Sequence, residues 1–272
     1  MAELPEGEIH LWLAFTGAGE ASASMDAVRR LLDAGESARM ERIRLPGDRE
    51  LFGTSRFLLR SALAHYTGIS PETWRFLRDG RGKPRIDPRS GPASLRFSIA
   101  HTSGLAVVAL AAGREIGVDV ERADRSLDAG RLARRFFSAG ERAGLEALPP
   151  EGRREGFVHT WTLKEAYLKA VGRGLTLSLD TFAFRLTGER PWSIGFSGEG
   201  DGADEGWRFA LAEPRSPYVV ALAAVPDGPG VLGVRCRRLL PDGGTGPVPC
   251  EPLGWSEGVA FRFDGPESDR HG

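Results

Sequence analysis

Lysine is nearly missing from this chain. Its 272 residues carry 36 Lys and Arg together, and only Lys83, Lys164 and Lys169 are lysine. Arginine makes an equally good or better surface ion pair, so a chain biased toward it has a reason to write an ammonium where it does. A lysine offers a compact charge and a pKa that can be lowered enough to hand over a proton, which arginine practically never does. Two of the three lie in WTLKEAYLKAVGRGL, Trp161 to Leu175. Cysteine is also scarce. Cys236 and Cys250 both come late and in no metal-ligand spacing, which excludes a disulfide scaffold or a thiolate metal site and fits a reducing compartment. Charge of one sign is not in excess: the formal net charge is -1. No global basic field points to nucleic acid or a membrane surface, so any anionic ligand must be held by a local cluster. Long apolar runs are absent too. The longest, LAVVALAA, is far too short to span a bilayer, and the start MAELPEGEIHLWLAF has no basic n-region ahead of an apolar core. A cytoplasmic protein with no nucleic-acid or membrane partner is expected. Apolar residues make up 41% of the chain, sufficient for the core of one large domain or two modest ones.

An internal echo organises the chain. VVALAA occurs at Val107 to Ala112 and again at Val219 to Ala224, and RSALAHYTG (Arg60 to Gly68) is echoed by KEAYLKAVG (Lys164 to Gly172). Both of the latter are helical in period and end in glycine. A duplicated α/β unit, helix first and buried strand later, accounts for both echoes. The expectation is an α/β pseudo-dimer of two similar subdomains, 1–114 and 115–226, with the ligand cleft at their interface. Helices are expected over 55–66, 127–137, 138–148 and 154–171, the last ended by Gly172 and Gly174. Strands are expected on either side of His101 and in EIGVDVE. After Pro226 glycine and proline become dense, and residues 227–272 read as a poorly packed extension.

Chemistry concentrates in a few stretches. In EIGVDVE the pleat sends Asp119 and Glu121 to one face, side by side. Such a pair repels itself unless a cation is shared, and hard carboxylate oxygens suit Mg²⁺; solvated acids on a strand edge are the plainer alternative. Trp161, Glu165 and Lys169 share one helix face at i, i+4 and i+8, where an ordinary surface ion pair is the competing explanation. GRGKPRI puts Lys83 on a glycine-flanked turn, and FSIAHTSG puts His101 beside Thr102 and Ser103; either could donate to phosphate or be merely structural. Arg39, Arg42, Arg44 and Arg49 form a basic cluster that also reads as a solvated helix face.

Taken in order, GKP (Gly82 to Pro84), F-S-x-x-H-T (Phe97 to Thr102), G-V-D-V-E (Gly117 to Glu121), R-F-F-S-x-x-E (Arg135 to Glu141) and W-x-x-K-E-A-x-x-K-x-x-G-x-G-L (Trp161 to Leu175) resemble the long, Sfp-type 4'-phosphopantetheinyl transferases. The resemblance spans roughly Leu11 to Val225. It implies a pseudo-dimeric fold and a monomeric enzyme that moves the phosphopantetheine arm of coenzyme A onto a serine of an apo acyl or peptidyl carrier protein, releasing 3',5'-ADP. It implies Asp119, Glu121 and Glu165 as Mg²⁺ ligands and Glu165, Lys169 and His101 as catalytic groups, Glu165 being the candidate general base. Arg49, Lys83, Pro84, His101, Thr102, Lys164 and Lys169 would handle CoA. Ala100 stands where many long members carry serine, which implies one ligand hydrogen bond lost or replaced. Residues after Pro226 have no counterpart in the resemblance. Two alternatives stay open: a Mg²⁺-dependent phosphohydrolase or nucleotidyl transferase using the same acids, and a catalytically dead carrier-binding module.

Overall fold

The computed structural model describes residues 4–17, 24–172, 177–198, 206–226, 228, 230–240 and 245–261; Gly174 lies outside them. The chain opens with β1 (Glu8–Phe15) and the helices α1 (Met25–Leu31), α2 (Ala34–Arg42) and α3 (Pro46–Thr67). A short hairpin, β2 (Phe76–Arg78) and β3 (Pro84–Ile86), and a long one, β4 (Leu95–Thr102) and β5 (Leu105–Ala112), complete the first half. The second half repeats this order. It runs β6 (Ile116–Arg122), α4 (Ala129–Phe136), α5 (Ala139–Ala147), α6 (Arg153–Val171), β7 (Phe182–Thr187), β8 (Trp192–Gly198), β9 (Arg208–Arg215) and β10 (Tyr218–Ala224). Four more strands follow: β11 (Leu232–Leu239), β12 (Thr245–Pro247), β13 (Glu251–Trp255) and β14 (Val259–Phe261). The fold is α/β, as expected from the sequence. No described helix is long and apolar enough to cross a membrane.

The two halves also match in sheet order. One sheet runs β12-β11-β1-β5-β4, with β14 on β11, and the other runs β6-β10-β9-β13-β8-β7. Within each, the first strand of a half lies beside the last, and the last beside the one before it. Strand alternation then builds layers. Leu11, Leu13, Val107 and Ala109 of one sheet meet Val118, Val120, Val220 and Leu222 of the other in a shared core. The opposite faces pack on helices: Trp12, Val108 and Leu110 with Leu58, Leu59 and Leu63 of α3, and Val219, Ala221 and Ala223 with Leu163, Ala166 and Ala170 of α6. The echo VVALAA marks equivalent strands but not equivalent faces. Val107 looks into the shared core, whereas Val219 looks toward α6, because a one-residue slip in a strand exchanges its faces.

Local chemistry sets the helix limits. α3 begins at Pro46, earlier than its apolar period suggests, since proline at the first helical position forgoes only an unpaired N–H. Both α3 and α6 stop at a glycine in the left-handed region, Gly68 (φ 69) and Gly172 (φ 73). α2 and α5 each start in a reciprocal capping box, Asp33 with Glu36 and Ser138 with Glu141.

The loose extension expected over 227–272 is corrected by the structure at its described residues, 230–240 and 245–261; the expectation for 262–272 lies outside the described residues. β11 pairs in parallel with β1, Glu8 opposite Gly233, and β13 sits inside the other sheet between β9 and β8. Leu232, Val234 and Leu253 are buried, and Cys236 and Cys250 belong to the shared core. Glycine and proline enter the strands themselves, at Gly233, Gly246, Pro247, Pro252 and Gly254, and LGVRCRRL still keeps enough alternation to form a strand.

Candidate active site

β6 is the site's foundation. Ile116, Val118 and Val120 point into the shared core, which leaves Gly117, Asp119 and Glu121 facing α6. Gly117 lets the two elements come together. A Cβ there would lie 2.0 Å from the Ala166 carbonyl oxygen and 2.3 Å from the Ala170 nitrogen, both backbone atoms, so glycine is required for space rather than for conformation. At this approach the Lys169 Nζ reaches Asp119 Oδ1 at 2.6 Å. Glu165 lies one turn before Lys169 on the same face, as i, i+4 spacing dictates.

The carboxylates press on one another. Burial, only partly offset by the Lys169 ammonium, holds Asp119 above the usual carboxylate range. Burial and then the Asp119 charge raise Glu121, and the same two causes raise Glu165. Arg125 stands 3.6 Å from Glu121. Among the described residues no group of three His, Cys, Asp or Glu side chains is gathered closely enough to hold a metal. In chemistry, however, the hard-oxygen donors Asp119, Glu121 and Glu165, each raised by burial, suit a dication such as Mg²⁺, which would relieve their repulsion.

Beside these acids opens a cleft of about 350 Å³ between the halves. Arg56, Lys83 and His101 line it from the first half, Glu165, Lys169 and Gly172 from the second. His101 sits near the end of β4, exposed toward the cleft. Crowding by the cleft walls, then the positive charges of Lys169, Arg56 and Arg39, lower its pKa. The Ser98 hydroxyl accepts the Val118 N–H at 3.0 Å, which ties the His101 strand to the Asp119 strand.

Several residues expected at the cleft are elsewhere or otherwise engaged. Lys164 is fully buried on another side of α6, donating to Glu141 at 2.9 Å and to the carbonyls of Leu179 and Phe182 at 2.6 Å each; it cannot reach a phosphate in the cleft. The Lys83 stem and Pro84 line the cleft, but the Lys83 ammonium donates to Glu115 at 2.8 Å and to the carbonyls of Ile116 (3.0 Å) and Ala170 (2.7 Å). It clamps the end of α6 to the start of β6. Arg49 donates to the Ile43 carbonyl, which ends α2, and neither it nor Thr102 lines the cleft. Ala100 belongs to the shared core, so its side chain owes the ligand no hydrogen bond. Arg56 and Arg81, which line the cleft, escaped sequence reading. Arg56 had a signal, its place four residues before Arg60 on one helical face; Arg81 is lost among 33 arginines.

A cation-lined cleft with acids at one wall and an ammonium among them suits the chemistry of enzymes that work at a phosphate. Comparison with known proteins refines this class. The 4'-phosphopantetheinyl transferase superfamily pattern matches residues 115–223. The 4'-phosphopantetheinyl transferase HetI of Nostoc sp. is 35% identical over 184 residues, covering 68% of this chain and 76% of the relative. The 4'-phosphopantetheinyl transferase Sfp of Bacillus subtilis is 34% identical over 130 residues, 47% of this chain and 55% of its own. A phosphopantetheinyl transferase of Thraustochytrium sp. is 28% identical over 236 residues, 80% of this chain and 81% of its own. The chain belongs to the 4'-phosphopantetheinyl transferase superfamily.

Proposed function

We propose that this transferase moves the phosphopantetheine arm of coenzyme A onto a serine hydroxyl of an apo acyl or peptidyl carrier protein in the cytoplasm, as a Mg²⁺-dependent enzyme of the holo-[acyl-carrier-protein] synthase type. The observation that carries this reading is the Lys169–Asp119 contact at 2.6 Å beside Glu165, at one wall of the cleft between the halves. In the reaction the serine oxygen bonds to a phosphorus of the CoA pyrophosphate, the P–O bond to the nucleotide breaks, and 3',5'-ADP leaves. Little covalent chemistry falls to the protein; positioning and charge neutralisation dominate. Asp119, Glu121 and Glu165 would hold Mg²⁺, which supplies positive charge for the pyrophosphate. Glu165, raised by burial and by Asp119, is the candidate base for the serine proton. Coordination would lower that basicity, so the two roles of Glu165 oppose each other. Lys169 neutralises or protonates the leaving phosphate. Arg56, Arg81 and His101 hold the anionic parts of CoA along the cleft wall.

The test is mass spectrometry of several apo carriers incubated with CoA and Mg²⁺. A gain of about 340 Da, one phosphopantetheine, is expected on the carrier. CoA breakdown without a carrier would instead support a phosphohydrolase, and an unmodified but tightly bound carrier would support a binding module.

A further inference from the structure

One device occurs twice. In the first half the capping-box glutamate of α2, Glu36, accepts Arg60 Nη2 at 2.7 Å. Arg60 is fully buried on α3, with its guanidinium 4.9 Å from the Phe76 ring of β2. In the second half the capping-box glutamate of α5, Glu141, accepts Lys164 Nζ at 2.9 Å. Lys164 is fully buried on α6, with its ammonium 4.3 Å from the Phe182 ring of β7. Arg60 and Lys164 are the matching first residues of RSALAHYTG and KEAYLKAVG. Each long helix is therefore buckled, at the same place, to the short capped helix before it and the hairpin after it.

We propose that these are positioning pairs. Glu141–Lys164 sets the roll of α6, and so the reach of Glu165 and Lys169 into the cleft; Glu36–Arg60 sets α3, and so the place of Arg56. This rests on the phosphopantetheinyl transfer reading. Lys164 immediately precedes Glu165, so its anchorage holds the helix roughly a quarter-turn from the working face. α6 meets β6 at Gly117 through bare backbone, which fixes closeness but resists rotation poorly, and Lys83 grips only the last turn of the helix, at the Ala170 carbonyl. A roll of ~15° moves an atom ~6 Å from the helix axis by ~1.5 Å. That would stretch the Lys169–Asp119 contact from 2.6 Å beyond hydrogen-bond range. Glu36 works on the binding side, because its other oxygen stands 3.1 Å from Arg56 Nε.

The chemistry of the two cations differs in a way that fits their tasks. Lys164 donates to three acceptors placed around a compact ammonium, which a planar guanidinium does not match. Arg60 leaves Nε and Nη1 without partners. The catalytic helix carries the fully satisfied anchor, and here lies the reason for lysine at position 164.

The experiment compares Lys164→Met, the double variant Lys164→Met/Glu141→Gln, and Glu36→Gln with the wild-type chain. Fraction folded, kcat and KM for CoA are measured with one apo carrier at saturating Mg²⁺, below each variant's melting temperature. Both Lys164 variants should lose roughly 30- to 100-fold in kcat with KM changed less than about threefold, since a misplacement near 1 Å costs on the order of a hundredfold. Glu36→Gln should instead raise KM about tenfold or more, with kcat within about threefold. The double variant removes the stranded buried carboxylate, so it should regain melting temperature over Lys164→Met without regaining kcat. A rate per folded molecule that recovers together with melting temperature would overturn the proposal. So would the same parameter changing on both sides, or failure of all three variants to fold, which would assign the pairs to folding alone. A wild-type chain that modifies no carrier would sink the transferase reading itself, a result distinct from an active wild type whose variants lack this pattern.

Discussion

Alanine at Gly117 would separate α6 from β6 by a distance that the structure fixes. The added Cβ would fall 2.0 Å from the Ala166 oxygen, 2.3 Å from the Ala170 nitrogen and 2.9 Å from the Ala170 Cα. All three are backbone atoms of a helix held at both flanks, so no side chain can swing away. To restore an ordinary contact the helix must retreat by ~1.4 Å, which takes Lys169 and Asp119 from 2.6 Å to ~4 Å apart. Two energies of opposite sign compete. Overpacking costs about 1–3 kcal/mol, while the stiffer unfolded chain returns only about 0.4–1 kcal/mol. The cost wins, and the melting temperature should fall by several degrees at about 2–4 °C per kcal/mol for a domain of this size. Turnover should fall on the order of a hundredfold. KM for CoA should move far less, because Arg56, Arg81 and His101 stand on other elements. Calorimetry and the rate of mass gain on an apo carrier measure both. Unchanged melting temperature with turnover within threefold of wild type would refute the close-approach argument.

Removing residues from 226 onward should give an insoluble or inactive protein, because Leu232, Val234 and Leu253 are buried at about 1.5–3 kcal/mol each, a large part of an ordinary stability of about 5–15 kcal/mol; a soluble, active truncation would contradict the sheet assignment. Excess EDTA should abolish transfer and Mg²⁺ restore it, and full turnover in chelator would remove the metal from the mechanism. Lys169→Arg should lower kcat about a hundredfold with CoA binding little changed, whereas Lys83→Arg should chiefly lower the melting temperature, since its three acceptors surround a buried ammonium; reversal of that pattern in paired kinetics and calorimetry would exchange the two roles. Burial holds His159 down at about 4. Its unfolded value is near 6.5, so the neutral ring stabilises the fold fully above that pH, and the contribution is lost as pH falls from 6.5 toward 4. His159→Phe should flatten acid unfolding across that window, and an unchanged pH–stability curve would show that His159 does not govern it.

The sequence made the site's poles legible because they obey short-range rules. Alternation placed Asp119 and Glu121 on one face, helical spacing joined Glu165 to Lys169, and two echoes announced the repeated halves. Partners that depend on distant chain could not be read this way. Nothing near KEA shows that Lys164 turns inward to Glu141, and nothing near GKP shows that the Lys83 ammonium ends on Ala170. Arg56 is one arginine among 33 until α3 packs beside the cleft. The last strands escaped for a different reason. Glycine and proline are dense through that stretch, strands included, and composition averaged over it hides the few alternating residues that enter a sheet.

The pairing of β1 with β11 and the seat of β13 between β8 and β9 constrain how the protein can be born. During synthesis β11 follows its neighbour β1 only after on the order of ten to fifty seconds of translation at about 5–20 residues per second. The second sheet likewise waits for β13, with the inward edges of β8 and β9 unpaired until it arrives. Nascent chains therefore expose open strand edges throughout that interval, the condition that invites chaperone capture or edge-to-edge aggregation. Slower translation of the second half prolongs that exposure, and yield in a cell should depend on chaperone supply more steeply than the stability of the finished molecule would suggest.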